Sequence, residues 1–117
     1  MSSILGPTIL AERVDAAHAC FDLRIPDSGP GLDGHFPGVP ILAGVVQVEW
    51  AQRLGRRCFA IASPVKVVTH LKFQRALRPG GQVTLELDYD MQRRELAFAY
   101  RVGVRACSSG RFQLDPP

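Results

Sequence analysis

The chain has little of what small secreted domains, membrane proteins and nucleic-acid binders are built on. Its three cysteines, Cys20, Cys58 and Cys107, are far apart and odd in number, with no CxxC pair. That argues against a disulfide framework and against a structural zinc site. Each is read as a reduced, small hydrophobe. No apolar run approaches the roughly 20 residues that a membrane-spanning helix needs. The start, Met1 to Pro7, lacks the basic lead and long apolar centre of a signal peptide, so the cytoplasm is the expected location. Neither sign of charge dominates: 14 basic residues against 11 acidic leave a net +3. So mild an excess suits an acidic partner without demanding nucleic acid. Internal repeats and low-complexity segments are absent.

What is present fits one α+β domain over residues 1–117. A domain of this size buries only about two-thirds of the surface its unfolded chain exposes, so pairing with a second copy would help it. Thr8 to Val14 reads as a first short strand. From His18 to Ile25 the pattern has period two: Ala19, Phe21, Leu23 and Ile25 oppose His18, Cys20, Asp22 and Arg24. Pro26 to Gly31 stops that strand. A helical pattern runs from Gly44 to about Ile61. Its first half is apolar nearly all round, which predicts a buried helix. Its second half carries Arg53, Arg56 and Arg57 toward the negative end of the helix dipole.

Three alternating strands follow Ser63-Pro64. In the first, Val65, Val67, Thr69, Leu71 and Phe73 share one face; in the second, Val83, Leu85, Leu87 and Tyr89; in the third, Leu96, Phe98, Tyr100, Val102 and Val104. Ser108-Ser109-Gly110 reads as a turn before a short final strand holding Phe112 and Leu114. Tight turns imply antiparallel neighbours. One helix lying across the concave apolar face of one curved sheet is the layer arrangement this order predicts.

The informative stretch is Gly34 to Gln52, GHFPGVPILAGVVQVEWAQ. His35 sits on a loop stiffened by Pro37 and Pro40. It is either a base titrating near neutrality or a loop histidine capping backbone groups. His18 and His70 lie on polar strand faces and read as surface residues. Glu49 stands alone in an apolar helix. It either pairs with Arg53 one turn on, or works as an acid in an apolar pocket, where a carboxyl holds its proton nearer neutrality. Gly44, at the helix start, either allows close packing or offers its N–H to a carbonyl oxygen that gains negative charge. A base, an acid and an oxyanion donor within fifteen residues suit one chemistry: removing a proton beside a carbonyl while protonating a leaving group opposite.

His35-Phe36-Pro37-Gly38-x-Pro40, then Gly44-Val45-Val46 and Glu49, resembles the HFPGxPxxPGVxxxE signature of the hot-dog-fold 3-hydroxyacyl-[acyl-carrier-protein] dehydratases. The VVQVEW variant is similar to the thioester dehydrases of aryl-polyene-type pathways. The resemblance implies a hot-dog fold, with the sheet wrapped around the central helix. It makes His35 the base for the α-proton of a 3-hydroxyacyl thioester, and Glu49 the residue that protonates or orients the departing hydroxyl. Gly44 N–H, with Val45 beside it, would bind the thioester carbonyl, and the backbone carbonyl of Ile41 would orient the histidine ring. It further implies a homodimer in which His35 of one subunit meets Glu49 of the other, or a hetero-complex with another hot-dog subunit. No metal or redox cofactor is implied. The substrate would arrive on the phosphopantetheine of acyl carrier protein, with Arg75, Arg78 or Arg101 as candidate contacts. Two positions depart from the pattern. Ala43 replaces the proline before the helix glycine, and Arg53 stands where the family often has glutamine.

Two other functions compete with dehydration. A hot-dog thioesterase would hydrolyse the same thioester with an acid and a positioned water. A non-catalytic hot-dog subunit would bind acyl chains or complete a partner's site. The histidine of the HFPG loop favours dehydration, and the presence of both His35 and Glu49 counts against a degenerate subunit.

Overall fold

The computed structural model describes residues 6–28, 32 and 41–116. In chain order the elements are β1 (Thr8–Val14), β2 (His18–Arg24), α1 (Gly44–Cys58), β3 (Val65–Phe73), β4 (Gln82–Asp90), β5 (Glu95–Val102) and β6 (Arg105–Leu114). All strand pairs are antiparallel, and the sheet order is β1-β2-β4-β5-β6-β3. The strand before the helix therefore pairs with the second strand after it, which sets α1 across one face of a continuous sheet.

Alternation explains that face. Ala19, Phe21 and Leu23 of β2, Val83, Leu85 and Leu87 of β4, and Leu96, Phe98 and Tyr100 of β5 are all buried. They join Val46, Trp50, Ala51 and Leu54 of α1 in one core. Each large apolar side chain so buried contributes about 1.5–3 kcal/mol of transfer free energy. Phe98 anchors the centre, stacked on Phe112 at 5.3 Å and edge-on to Tyr100 at 5.9 Å. Gly55 lets the helix close on the sheet, because a Cβ there would collide with Leu96.

Four sequence expectations need correction. The helix stops at Cys58 rather than near Ile61. Ala60 takes a left-handed φ of 52°, and Ile61 N–H donates to the Arg56 carbonyl at 3.1 Å, a Schellman-type ending. Nor is α1 buried all round: Val45 is 73% exposed, whereas the polar Gln47 is 3% exposed. The face of β3 is not the simple alternation expected. Register shifts between Val65 and Val67 and between Thr69 and Lys72 break the period, so Val68 packs inward while Val67 and Leu71 are exposed.

Finally, Ser108-Ser109-Gly110 is no turn but the middle of a ten-residue strand. The chain reverses earlier, at Gly103, whose φ is 60°. Gly110 is needed for proximity: a Cβ there would lie 2.6 Å from Phe98 Cε2 and 2.9 Å from Leu71 Cδ2. Gly110→Val is accordingly expected to lower folding stability by about 1–3 kcal/mol through overpacking. A denaturant midpoint equal to that of the unsubstituted chain would contradict this account of β6.

Candidate active site

The start of α1 is built by backbone pairing. Leu42 N–H donates to the Leu77 carbonyl at 2.7 Å, and the Leu42 carbonyl accepts from Gln47 Nε2 at 3.1 Å. Ala43, the extended N-cap residue, has no side-chain cap to offer; its carbonyl accepts instead from Val46 N–H at 3.1 Å and Gln47 N–H at 3.2 Å. A trans peptide is planar, with C=O and N–H opposed. The Ala43 carbonyl points into the helix, so Gly44 N–H points out of its start. By the same rule the Ile41 carbonyl points away from Leu77. Gly44 N–H is among the donors that a helix start leaves without an intrahelical acceptor.

Beside it lies a groove of about 320 Å³, lined by Ile41, Gly44, Gln47, Phe73 and Arg75 among others. Phe73 covers Gly44 so closely that a Cβ there would sit 2.9 Å from the ring. Close packing is thus one reason for glycine at this position, and it coexists with the outward N–H.

Val45 and Glu49 are one turn apart on the exposed side of α1. Within this chain Glu49 is not in an apolar pocket. Its side chain is 43% exposed, and Oε1 lies 3.6 Å from Arg53 Nη2. The ion pair, one of the two readings of this residue, is present. His35 lies outside the described residues. Gly44, Val45, Ile41 and Glu49 are therefore the predicted site residues that the structure places, all at the first turns of α1 or just before them.

Of the three candidate carrier contacts, Arg101 is already engaged: it donates to Glu86 Oε1 at 2.9 and 3.1 Å and to the Gly103 carbonyl. Arg75 and Arg78 instead line, with Arg105, a second cavity of about 350 Å³ that shares Arg75 and Ala76 with the groove at Gly44. Among the described residues no group of three or more His, Cys, Asp or Glu side chains is placed to hold a metal ion.

One cluster was missed from the sequence. Ser108 Oγ donates to Gln47 Oε1 at 2.6 Å, and Tyr100 Oη donates to the Gln47 carbonyl at 2.7 Å. Burial raises the Tyr100 phenol far above its ordinary range, so it stays a neutral donor. The signal was available: Gln47 shares a helix stripe with Trp50, Ala51 and Leu54, where an apolar residue is the rule.

Among the described residues, one helix packed against a six-stranded antiparallel sheet is the arrangement of hot-dog proteins. A sequence profile of the ApeI-like family, the ApeI dehydratase, matches residues 11–111, and the chain belongs to that family. It is 35% identical over 101 residues to the 3-hydroxyacyl-[acyl-carrier-protein] dehydratase FabZ of Erythrobacter litoralis, covering 74% of this chain and 67% of that protein. It is 34% identical over 77 residues to FabZ of Sodalis glossinidius, covering 58% of this chain and 51% of the relative, so here it spans about half the relative's length. Among solved structures, a chain of the dehydratase heterocomplex ApeI:P from Xenorhabdus doucetiae superposes with a TM-score of 0.88 at 25% identity, covering 96% of this chain and all of that one. The PaaI protein of Escherichia coli, at 13% identity and a TM-score of 0.69, shares the fold.

A pH profile of this chain carries a titration away from the site. His18 Nδ1 lies 2.7 Å from Asp88 Oδ1, and that hydrogen bond raises the imidazole pKa above its ordinary 6.5. The protonated ring is therefore favoured by folding. Its contribution is complete below about 6.5, the unfolded value, and fades as pH rises through the folded one. Both side chains are substantially exposed, which keeps the effect small. In an NMR titration, His18 is expected to titrate above the ordinary imidazole range and to return to it in Asp88→Asn; an unchanged midpoint in that variant would contradict the assignment.

Proposed function

We propose that this chain dehydrates a 3-hydroxyacyl thioester, carried on acyl carrier protein, to the trans-2-enoyl thioester, in fatty-acid or polyene-type biosynthesis. The observation that carries the reading is the helix start: Gly44 N–H faces outward beside an open groove, with Glu49 on the same helix, fourteen residues after His35. Family membership and the FabZ relatives support the same chemistry.

In this reading the thioester carbonyl rests on Gly44 N–H beside Val45. The donor and the positive end of α1 stabilise the enolate oxygen as it forms. His35, its ring oriented by the Ile41 carbonyl, takes the α-proton. The electrons of that C–H bond become the new C=C bond as the C–O bond breaks, and Glu49 gives its proton to the departing hydroxyl, which leaves as water. Electrons balance without a redox group, and the mechanism draws on no metal.

A second chain completes the site in this proposal, His35 of one subunit facing Glu49 of the other. Three features support a covering chain. Val45 and Glu49 lie open on α1, β3 is a sheet edge, and Val67, Leu71 and Phe73 on that edge are exposed. The covering chain is a second copy or, as the ApeI:P heterocomplex suggests, a different hot-dog subunit. Arg75 and Arg78 are the proposed contacts for the carrier.

The test is incubation with a 3-hydroxyacyl carrier thioester, following enoyl absorbance and free thiol together. Enoyl product is expected, and His35→Ala and Glu49→Gln should each lower kcat by about 10²- to 10⁴-fold. Thiol release without enoyl product would establish a thioesterase instead. Neither product, alone or with a second hot-dog subunit present, would leave a binding or site-completing role.

A further inference from the structure

We propose that Gln47 is a positioning residue: its buried carboxamide holds the Leu42–Ala43 backbone and thereby aims Gly44 N–H into the groove. The consequence for catalysis rests on the dehydratase reading; the consequence for the backbone does not.

Each nitrogen and oxygen of Gln47 has a partner. Gln47 Nε2 donates to the Leu42 carbonyl, Oε1 accepts from Ser108 Oγ, the backbone N–H donates to Ala43, and the backbone carbonyl accepts from Tyr100 Oη. Gln47 and Ser108 are 3% and 2% exposed, and Tyr100 is fully buried. Burying an amide costs free energy unless it is bonded, and an apolar side chain would fill this stripe of α1 without that cost. Such networks are costly when half satisfied and rigid when complete.

What the amide supplies that leucine cannot is a donor for the Leu42 carbonyl. Ala43 provides no side-chain cap, and its alanine side chain does not restrict the backbone as a proline ring does. Leu42 is the last residue before the cap, and each of its two peptide groups is held once, by Leu77 and by Gln47. Without the Gln47 carboxamide the Leu42 carbonyl loses that donor, and the peptide between Leu42 and Ala43 is held less firmly. The next peptide, which carries Gly44 N–H, keeps the bonds of the Ala43 carbonyl to Val46 and Gln47 N–H but follows a lead-in that is held at one point fewer, so its aim is less firmly fixed. Ser108 in turn fixes the carboxamide's own orientation from β6, since its hydroxyl reaches Oε1 and leaves Nε2 directed at Leu42.

The deciding comparison is Gln47→Leu against Leu114→Ala. The second substitution opens the core at the far end of β6, about 20 Å along the strand from Ser108. Both are expected to lower the melting temperature. Only Gln47→Leu should speed amide hydrogen exchange of Leu42, by about tenfold or more over the change in β4 and β5. Only Gln47→Leu should lower kcat by about tenfold or more with KM changed less than about threefold, as misalignment of a transition-state donor predicts. If Leu114→Ala lowers kcat as far at equal loss of melting temperature, or if Gln47→Leu keeps Leu42 protected, the proposal is overturned and Gln47 is core packing alone. Should the unsubstituted chain make no enoyl product, the dehydratase reading fails, and the exchange experiment still decides whether Gln47 holds the backbone.

Discussion

The structure depends on how the chain enters its only described helix. Two hydrogen bonds at Leu42, one to Leu77 and one from Gln47, stand where a capping side chain or a proline ring would ordinarily fix a helix start. The backbone groups proposed for the site, the Ile41 carbonyl and Gly44 N–H, lie on either side of them. Val46 and Gln47 N–H draw the Ala43 carbonyl into α1, which directs Gly44 N–H out of it, and the bond from Leu42 N–H to Leu77 directs the Ile41 carbonyl away from Leu77. The sheet takes part through Ser108 and Tyr100, so the strands that make the core also orient the carboxamide at the helix start. A site assembled from backbone groups needs such an arrangement, because no rotamer change can compensate for a misdirected peptide.

That dependence explains which parts were legible in the sequence. Strands β2, β4 and β5 each have one buried and one wetter face, and the period-two pattern reports that directly. The helix was legible from its composition, and its start from Gly44. Elements failed where a second requirement overrode the pattern. In β6 the sequence Ser108-Ser109-Gly110 imitates a turn. Yet Ser108 is there to bond Gln47, and Gly110 is there because Phe98 and Leu71 occupy the space a side chain would need. Both residues are polar or small for tertiary reasons that no local window contains. In β3 the register shifts moved the buried face by one residue, and only the partner strand reveals that.

The candidate site divides in the same way. Residue types and spacing pointed to His35, Gly44 and Glu49 because the chemistry needs a base, a donor and an acid in sequence order. Gln47 was passed over because it performs no chemistry. Its signature was a polar residue in an apolar stripe, the same anomaly that drew attention to Glu49 two positions later. The two differ in where they point: Gln47 turns into the core with a partner for each polar atom, whereas Glu49 turns outward with its side chain 43% exposed.

The Glu49–Arg53 pair does not decide against an acid role. Its separation of 3.6 Å with both side chains nearly half exposed is a surface ion pair, and such pairs contribute about 0–1 kcal/mol. Separating it is therefore cheap in an uncovered chain. A covering subunit changes the terms. If the guanidinium were enclosed with the carboxylate, both would lose hydration, at several kcal/mol per ion, and a single 3.6 Å contact offsets little of that. Arginine has a long flexible stem and can carry its charge to the rim of an interface, whereas glutamate two methylenes from the helix cannot follow it as far. Covering the exposed face of α1 would thus favour a geometry in which Arg53 turns to solvent and Glu49 stays at the covered face.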